Sequence, residues 1–361
     1  MRRSTSDVKR TSGVATRVAA PLVALGCVVS AAVGASCAST APRSDRGAAT
    51  SPANMPNETV HESEMAPWRS SWNFADPVAS ESAFRAALAS TSGAAALELE
   101  TQIARALGLQ KRFDEAAALL DDVEGRAAKE RGASRTPMDA LRLTRVDVFV
   151  ELERGRLLRS RGTPEASSPR FLAAFERASA TGLDYLAVDA AHMLGIVAPA
   201  AEASAWNTRA LALAESSADP LARGWAAAIA NNQGWTEFDA GRHAEALALF
   251  ERALAMRRER PEQREPLWIA RWCVARAWRA LGRVEEALLE QRALLAERTA
   301  AAAPDGYVHE ELGECLLALG RAGEAREHFA AASHLLAQDT WLAANEPARL
   351  ARLARLAAGG G

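Results

Sequence analysis

The sequence predicts an all-α solenoid of antiparallel helix pairs, closed at its C-terminal end by a capping helix. Three observations support this fold class. The composition favours closely packed helices, three segments in the second half align with one another, and each aligned segment carries a glycine where two helices would meet. Self-similarity at a fixed period is the mark of a repeat architecture, so one helical hairpin is expected to recur along the chain.

The composition favours helices over sheets. Hydrophobic residues make up 49% of the 361 residues but aromatic residues only 6%, so alanine and leucine supply most of the apolar side chains. Alanine has the best helix propensity and leucine comes close. The β-branched residues that strands prefer are sparse after residue 40. The chain can therefore bury a sizeable core between helices that approach closely.

The repeat is clearest in three segments, which cover residues 231–254, 272–295 and 309–332. Each has a helical pattern, a Gly-Arg turn and a second helical pattern. The aligned alanines of the second helix are spaced by 41 and then 38 residues, more than the 34 of a standard tetratricopeptide unit. The aligned turn glycines and alanines are Gly241, Gly282 and Gly320, and Ala246, Ala287 and Ala325.

These segments resemble tetratricopeptide repeats, whose pattern is Leu-Gly in the first helix, a turn glycine, and Ala-x3-Phe-x2-Ala in the second helix. The middle segment departs from this pattern at Ala275 and Gln291. The resemblance implies a right-handed solenoid that binds other proteins, and the long spacings imply an extended first helix, as in kinesin-light-chain-like repeats. The matching residues are Leu312, Gly313, Gly320, Ala325, Phe329 and Ala332 in the third segment, and Gly234, Gly241, Ala246, Phe250 and Ala253 in the first.

Earlier parts of the chain fit the pattern less well. Residues 140–180 suggest a long helix, an inserted loop over 162–168, and a second helix with Phe171 and Phe175. We therefore divide the chain into five parts: residues 1–36, a signal peptide or membrane anchor; 37–75, a flexible linker; 76–217, degenerate tetratricopeptide-like repeats; 218–337, clear repeats; and 338–361, a capping helix and disordered tail.

The N-terminus predicts export. Residues 1–36 hold five basic residues and one acidic residue, and 18–36 are uncharged and mostly apolar, as in a signal peptide. Small residues precede Cys37 and Ala-Ser follows it, which resembles the lipobox of bacterial lipoproteins and implies lipidation at Cys37. Cys27 is a second candidate. An uncleaved anchor remains the alternative, because 19 uncharged residues are close to the ~20 that span a bilayer.

Either interpretation places the body outside the cytoplasm. We expect the periplasmic side of the outer membrane for a lipoprotein, or the inner membrane for an uncleaved anchor. Trp68, Trp72 and Phe74 end the predicted linker, and we expect them to dock on the first helix. Residues 341–357 predict one amphipathic helix with a narrow leucine stripe. A solenoid needs such a cap, although a basic amphipathic helix can also bind membranes.

Catalytic and cofactor patterns are missing from the sequence. The net charge of −2 offers no basic footprint for nucleic acid. His309 and Glu310 begin a metalloprotease-like pattern, but Gly313 stands where the second histidine is required. Cys273 and Cys315 could form a disulfide or remain buried thiols. We therefore predict a protein without enzymatic activity, cofactor or metal.

A groove lined by the first helices is the candidate binding site, because in the tetratricopeptide family these helices line the concave surface. Tryptophan and arginine are common interface anchors, although the same aromatics could belong to the core. Asn231 matches part of the family's lysine and asparagine clamp for peptide carboxylates, but this region has no lysine. The predicted groove residues are Asn231, Trp235, Phe238, Asp239, Trp272, Arg276, Arg279, Tyr307, Glu310 and Glu314.

Three functional hypotheses follow. The first is an envelope scaffold that binds a protein or peptide in this groove and reaches the membrane through its lipid or anchor. The second is a cell-wall accessory protein whose Trp235 and Trp272 stack on a glycan. The third is a sensory module related to the repeat tails of kinases or transcription regulators, which the export signal disfavours.

Overall fold

The structure is a computed structural model that describes residues 66–133 and 136–360. Secondary structure in these ranges is helical throughout and contains no strand. It consists of a 3-10 helix at Pro67–Ser71, followed by α1 Pro77–Leu88, α2 Gly93–Leu109, α3 Phe113–Ala133, α4 Pro137–Ser160, α5 Pro164–Ala180, α6 Asp184–Val197, α7 Ala200–Ser216, α8 Pro220–Arg223, α9 Ala226–Asp239, α10 His243–Arg258, α11 Arg264–Ala280, α12 Val284–Ala300, α13 Gly306–Ala318, α14 Ala322–Leu336, α15 Thr340–Asn345 and α16 Pro347–Ala357.

The helices form antiparallel pairs stacked in chain order, which confirms the predicted all-α solenoid. Within the described ranges there are six pairs: α2/α3, α4/α5, α6/α7, α9/α10, α11/α12 and α13/α14. Helix α1 packs on α2 at one end, and α16 packs on α14 at the other. The apolar core has three stretches, which meet in α4 and in the α9/α10 pair.

Every pair uses the same register. A small residue of the first helix is followed 16 residues later by a buried residue of the second helix that fills the space between them. The small residues recur at spacings of 51, 40, 39, 41 and 38 residues. They are Ala104, Gly155, Gly195, Gly234, Ala275 and Gly313, and their partners are Leu120, Phe171, Leu211, Phe250, Gln291 and Phe329.

Glycine is needed in this register because the phenylalanine ring lies against the helix backbone. A Cβ atom on Gly155 or Gly234 would stand 2.5 Å from the ring of Phe171 or Phe250, and one on Gly313 would stand 2.7 Å from Phe329. In the degenerate α11/α12 pair, the buried Gln291 replaces the ring, and neither end of its amide has a partner among the described residues. Such a group costs about 1–3 kcal/mol, so this contact contributes less than its equivalents.

The long repeat spacing arises between pairs. The register within a pair is always 16 residues, so the variation lies from the large residue of one pair to the small residue of the next. Helices α11 and α12 have 17 residues each, whereas α13 has 13. Both the first and the second helix are therefore extended, where the resemblance implied the first alone.

The loop expected over residues 162–168 is wrong. Helix α5 begins at Pro164, so only Arg161, Gly162 and Thr163 separate it from α4. Proline is tolerated in a first helical turn because that N–H needs no helical partner. Ser167 is fully buried where other pairs have alanine. The turn glycine Gly162 has a φ of +86°, the left-handed conformation that the repeat pattern requires.

The C-terminal segment is a cap, but it is two helices where the sequence predicted one over 341–357. It breaks at Glu346, because a residue before proline is driven out of the helical region. Leu353 of α16 is fully buried, and Leu350 and Leu356 pack on the same C-terminal core. The leucine stripe is thus covered by the solenoid.

We expect Gly234→Ala to lower the free energy of unfolding by about 1–3 kcal/mol, because the added methyl overpacks against Phe250. Gly125→Ala in α3 is the matched control, since its Cβ would meet no atom within 4 Å. That change should raise stability by up to about 1 kcal/mol through helix propensity. Urea denaturation measures both, and equal effects would contradict the register.

Candidate functional site: the surface of the first helices

The first helices α2, α4, α6, α9, α11 and α13 form one side of the solenoid, named here the first-helix surface. All ten predicted groove residues are on α9, α11 and α13, in its C-terminal half. The N-terminal half, on α2, α4 and α6, carries features that the sequence prediction missed. The two halves differ in what covers them.

The predicted aromatics form a continuous line across three helices. The ring centroid of Trp235 is 5.8 Å from Trp272, which is 6.1 Å from Tyr307, and Phe238 is 5.3 Å from Trp235. The indole N–H of Trp272 donates to the Tyr307 carbonyl at 3.2 Å. Trp235 and Trp272 are only 8% and 7% exposed. Their rings therefore pack the helices together.

Arg276 sits over this line of rings. Its guanidinium carbon is 5.3 Å from the Trp272 ring centroid and 5.5 Å from that of Trp235, a cation–π distance. Its Nη1 donates to Glu311 at 2.7 Å, and Arg279 adds hydrogen bonds of 2.8 and 3.0 Å to the same carboxylate. Burial alone would raise the pKa of Glu311, but the two arginines outweigh it and hold this pKa below its usual value.

Glu310 and Glu314 bind the capping helix. Glu310 is buried and receives hydrogen bonds from Arg349 at 2.9 and 2.5 Å, while Glu314 is paired with Arg352. Tyr307 lies under Arg349, whose guanidinium carbon is 5.4 Å from its ring. These three predicted groove residues thus hold α16 in place.

Few of the predicted positions are open to a partner. Asn231 is buried, and its Oδ1 has no hydrogen-bond partner within the described part of the chain. Phe238 is half-buried and Asp239 is exposed at the end of α9. The exposed Leu317 on α13 lies at the position equivalent to Phe238.

The N-terminal half is occupied by the chain's own residues Ala66–Phe74, named here the strap. The indole N–H of Trp68 donates to Glu98 at 3.1 Å, and that of Trp72 donates to Gln102 at 3.2 Å. Both acceptors are on α2, four residues apart, and so are the two tryptophans in the strap. One helical turn therefore presents acceptors at the spacing of the two indoles.

The strap also contacts α1, α4 and α6. The ring centroid of Trp68 is 5.8 Å from Phe149 on α4, and that of Trp72 is 4.9 Å from Phe84 on α1. The guanidinium carbon of Arg69 lies 3.8 Å from the ring centroid of Tyr185 on α6. The aromatics expected to dock on the first helix therefore dock across the first helices of three pairs as well as on α1.

Charged residues line the surface around the strap. Glu98 accepts from the fully buried Arg145 at 2.7 and 3.1 Å, so this carboxylate serves both an indole and a guanidinium. On the next helices, Arg156 forms two 2.6 Å hydrogen bonds with the buried Asp189. Burial opposes ionisation of Asp189, but Arg156 outweighs it and keeps its pKa below the usual value.

A sequence signal for the strap was present. The spacing of Trp68 and Trp72 equals that of Glu98 and Gln102, but nothing in the sequence alone links the two segments. Helices α2 and α4 also lack the Leu-Gly signature, so their inward positions could not be assigned by alignment.

Other groups singled out in the sequence have plain structural roles. Cys273 and Cys315 are free buried thiols, and burial raises the pKa of each to about 12. His309 pairs with His328, with 3.1 Å between their Nδ1 atoms. Among the residues described, no three His, Cys, Asp or Glu side chains are grouped to hold a metal ion. In the same part of the chain, every helix is too short or too polar for a membrane span. Cys27 and Cys37 lie outside the described residues.

The fold and this surface define the class: a helical-repeat solenoid of tetratricopeptide type. No protein-family model and no curated protein matches the sequence. Solved structures to which the chain is similar include BtubC (BKLC) from P. vanneervenii, at 16% identity over 64% of this chain and 92% of that one, with a TM-score of 0.48.

Two others are NprR in complex with its cognate peptide NprX, and a tetratricopeptide repeat protein from Parabacteroides merdae. The first has 15% identity over 84% of this chain and 85% of that one, with a TM-score of 0.45. The second has 14% identity over 82% and 98%, with a TM-score of 0.41. The assignment of class rests on the chain's own helix pairing and register.

His192 on α6 gives this half of the surface a pH dependence. Its ring centroid is 5.5 Å from Trp225, and its Nδ1 is buried without a partner in the described ranges. Burial lowers its pKa to about 4, which Arg156 and Arg159 reinforce and Asp189 opposes. As the pH falls below 6.5, the unfolded chain is protonated first, so stability is lost between pH 6.5 and 4.

We expect the wild type to lose about 1–2 kcal/mol of unfolding free energy from this group between pH 6.5 and 5, and His192→Gln to lose none of it. His334→Gln, at an exposed histidine, is the control and should follow the wild type. Urea denaturation at several pH values measures the difference. Parallel curves for wild type and His192→Gln would contradict this assignment.

Proposed function

We propose that this protein is a non-enzymatic scaffold of the bacterial cell envelope that binds a peptide or protein segment on its first-helix surface. The observation that carries the proposal is the strap. This surface already holds an extended segment of its own chain through two indole hydrogen bonds, ring contacts and a stacked guanidinium. A surface that binds one peptide segment in this way has the chemistry to bind another.

The composition of the surface supports this proposal. It offers buried or half-buried acceptors, such as Glu98 and Gln102, beside aromatic rings from neighbouring helices. Aromatic and arginine side chains dominate the energetics of protein interfaces. It also carries exposed apolar residues, Ile196 on α6 and Leu317 on α13, at 44% and 38% exposure.

A glycan-binding role is less well supported. Sugar rings stack on open aromatic faces, but Trp235 and Trp272, the proposed platforms, are almost fully buried. The envelope location rests on the basic and apolar N-terminal sequence and on the lipobox-like residues around Cys37. Metabolic labelling with a fatty acid analogue, in the wild type and in Cys37→Ser, tests that part of the proposal.

The binding surface is tested with a photo-crosslinking amino acid placed in the full chain in cells. Ile196 and Leu317 are the test positions on first helices, and Leu172 and Leu289 are exposed apolar controls on the second helices α5 and α12. We expect the same partner protein to be crosslinked from Ile196 or Leu317 and not from either control. Crosslinking only from the second helices would overturn the proposed surface.

A further inference from the structure

We infer that the strap is a displaceable, tethered competitor for the partner, and that the partner segment carries two aromatic side chains with N–H donors four residues apart. This inference rests on the proposed function and adds the chemistry of the ligand and its regulation. It follows from how the strap is held, how it is joined to the solenoid and how well its groups are satisfied.

The strap is held by side chains. Its two anchoring hydrogen bonds run from the indoles of Trp68 and Trp72 to side-chain oxygens of α2. The remaining contacts are made by rings, with Trp72 stacked 4.6 Å from Phe74 and edge-on to Phe84. Recognition therefore reads side chains at fixed spacing, so a different chain with the same pattern would make the same contacts.

The strap is joined to the solenoid at one end. The N–H of Asn73 donates to Ser80 Oγ at 2.8 Å, Ser80 Oγ donates to the Asn73 carbonyl at 2.9 Å, and Asp76 caps α1. These bonds fix the point where the strap enters α1. Departure of residues 66–72 would leave this junction intact, so the strap can leave the surface without unfolding a helix.

The strap is an imperfect ligand. Nε and Nη2 of Arg69 are buried and have no hydrogen-bond acceptor in the part of the chain that is described. Unpaired buried donors of this kind weaken binding, because they give up water without replacing it. A partner that keeps the two indoles but avoids this defect would gain affinity over the strap.

Tethering compensates for the defect. A segment joined through a few residues has an effective concentration of the order of millimolar at its own site. A free peptide with the same contacts must compete with that concentration. The strap thus sets a threshold that a well-matched partner passes and a loosely matched one does not.

The test uses the full chain and a fluorescent peptide of residues 66–75, measured by anisotropy. Replacing both strap tryptophans, Trp68→Ala with Trp72→Ala, releases the strap, and circular dichroism checks that the helices remain. We expect the released chain to bind the peptide roughly 10- to 100-fold more tightly than the wild type does. A peptide with leucine in place of both tryptophans should bind neither.

A second variant separates recognition from release. Adding Gln102→Leu to the released chain removes the acceptor of one indole and should weaken peptide binding by roughly 5- to 10-fold, as the loss of one hydrogen bond does. If the released chain binds the peptide no better than the wild type, or if Gln102→Leu has no effect, the inference is wrong.

Hydrogen exchange keeps the test valid if the double variant does not fold. In the wild-type chain, millimolar peptide should raise amide exchange in residues 66–72 and leave α2 protected. Unchanged exchange in 66–72 at that concentration would also overturn the inference. If the peptide fails in all these assays while the envelope partner is still crosslinked at the first helices, the proposed function stands and only the strap's role falls.

Discussion

The whole solenoid depends on one contact, between a small residue of the first helix and the large residue that follows it by 16 positions. Where the pair is Gly155 with Phe171, Gly234 with Phe250, or Gly313 with Phe329, the ring lies directly against the backbone of the first helix. This contact sets the distance between the two helices and hence the side chains that each first helix presents to its neighbour. The first-helix surface is a consequence of it.

Much of the architecture was predictable, because this contact leaves a local signature. In the α9/α10 and α13/α14 pairs, glycine, alanine and phenylalanine stand at their expected positions, so alignment found them. In the α2/α3 pair the same positions hold Ala104 and Leu120, which are compatible with any buried helix. In the α4/α5 pair, Pro164 and Ser167 resemble loop residues although they lie in the first turns of α5.

The site was harder to predict, because burial and pairing depend on which side chains meet across helices. The sequence pointed to Trp235 and Trp272 as inward-facing residues but could not show that each ring covers the next. Arg276 and Arg279 looked like free interface anchors, yet both are committed to Glu311. Reversing their charge would place carboxylates beside a buried carboxylate, so that change would disturb folding before it reported on binding.

The two halves of the first-helix surface therefore serve different purposes. The C-terminal half is closed by its own ion pairs and by the capping helix, through Arg349 and Arg352. The N-terminal half is closed only by the strap, a segment with one fixed end. Binding of a partner to the N-terminal half then requires no rearrangement of the solenoid, only departure of residues 66–72.

The most direct test of this account is whether the strap lies on the first helices in solution. Nuclear Overhauser spectroscopy on the full chain, deuterated except for tryptophan and phenylalanine rings, measures this contact. The account predicts cross-peaks between the rings of Trp68 and Phe149, whose centroids are 5.8 Å apart, as well as between Trp235 and Phe250 at 5.2 Å. If the second pair gives cross-peaks and the first gives none, the strap is not on the surface and the central claim is contradicted.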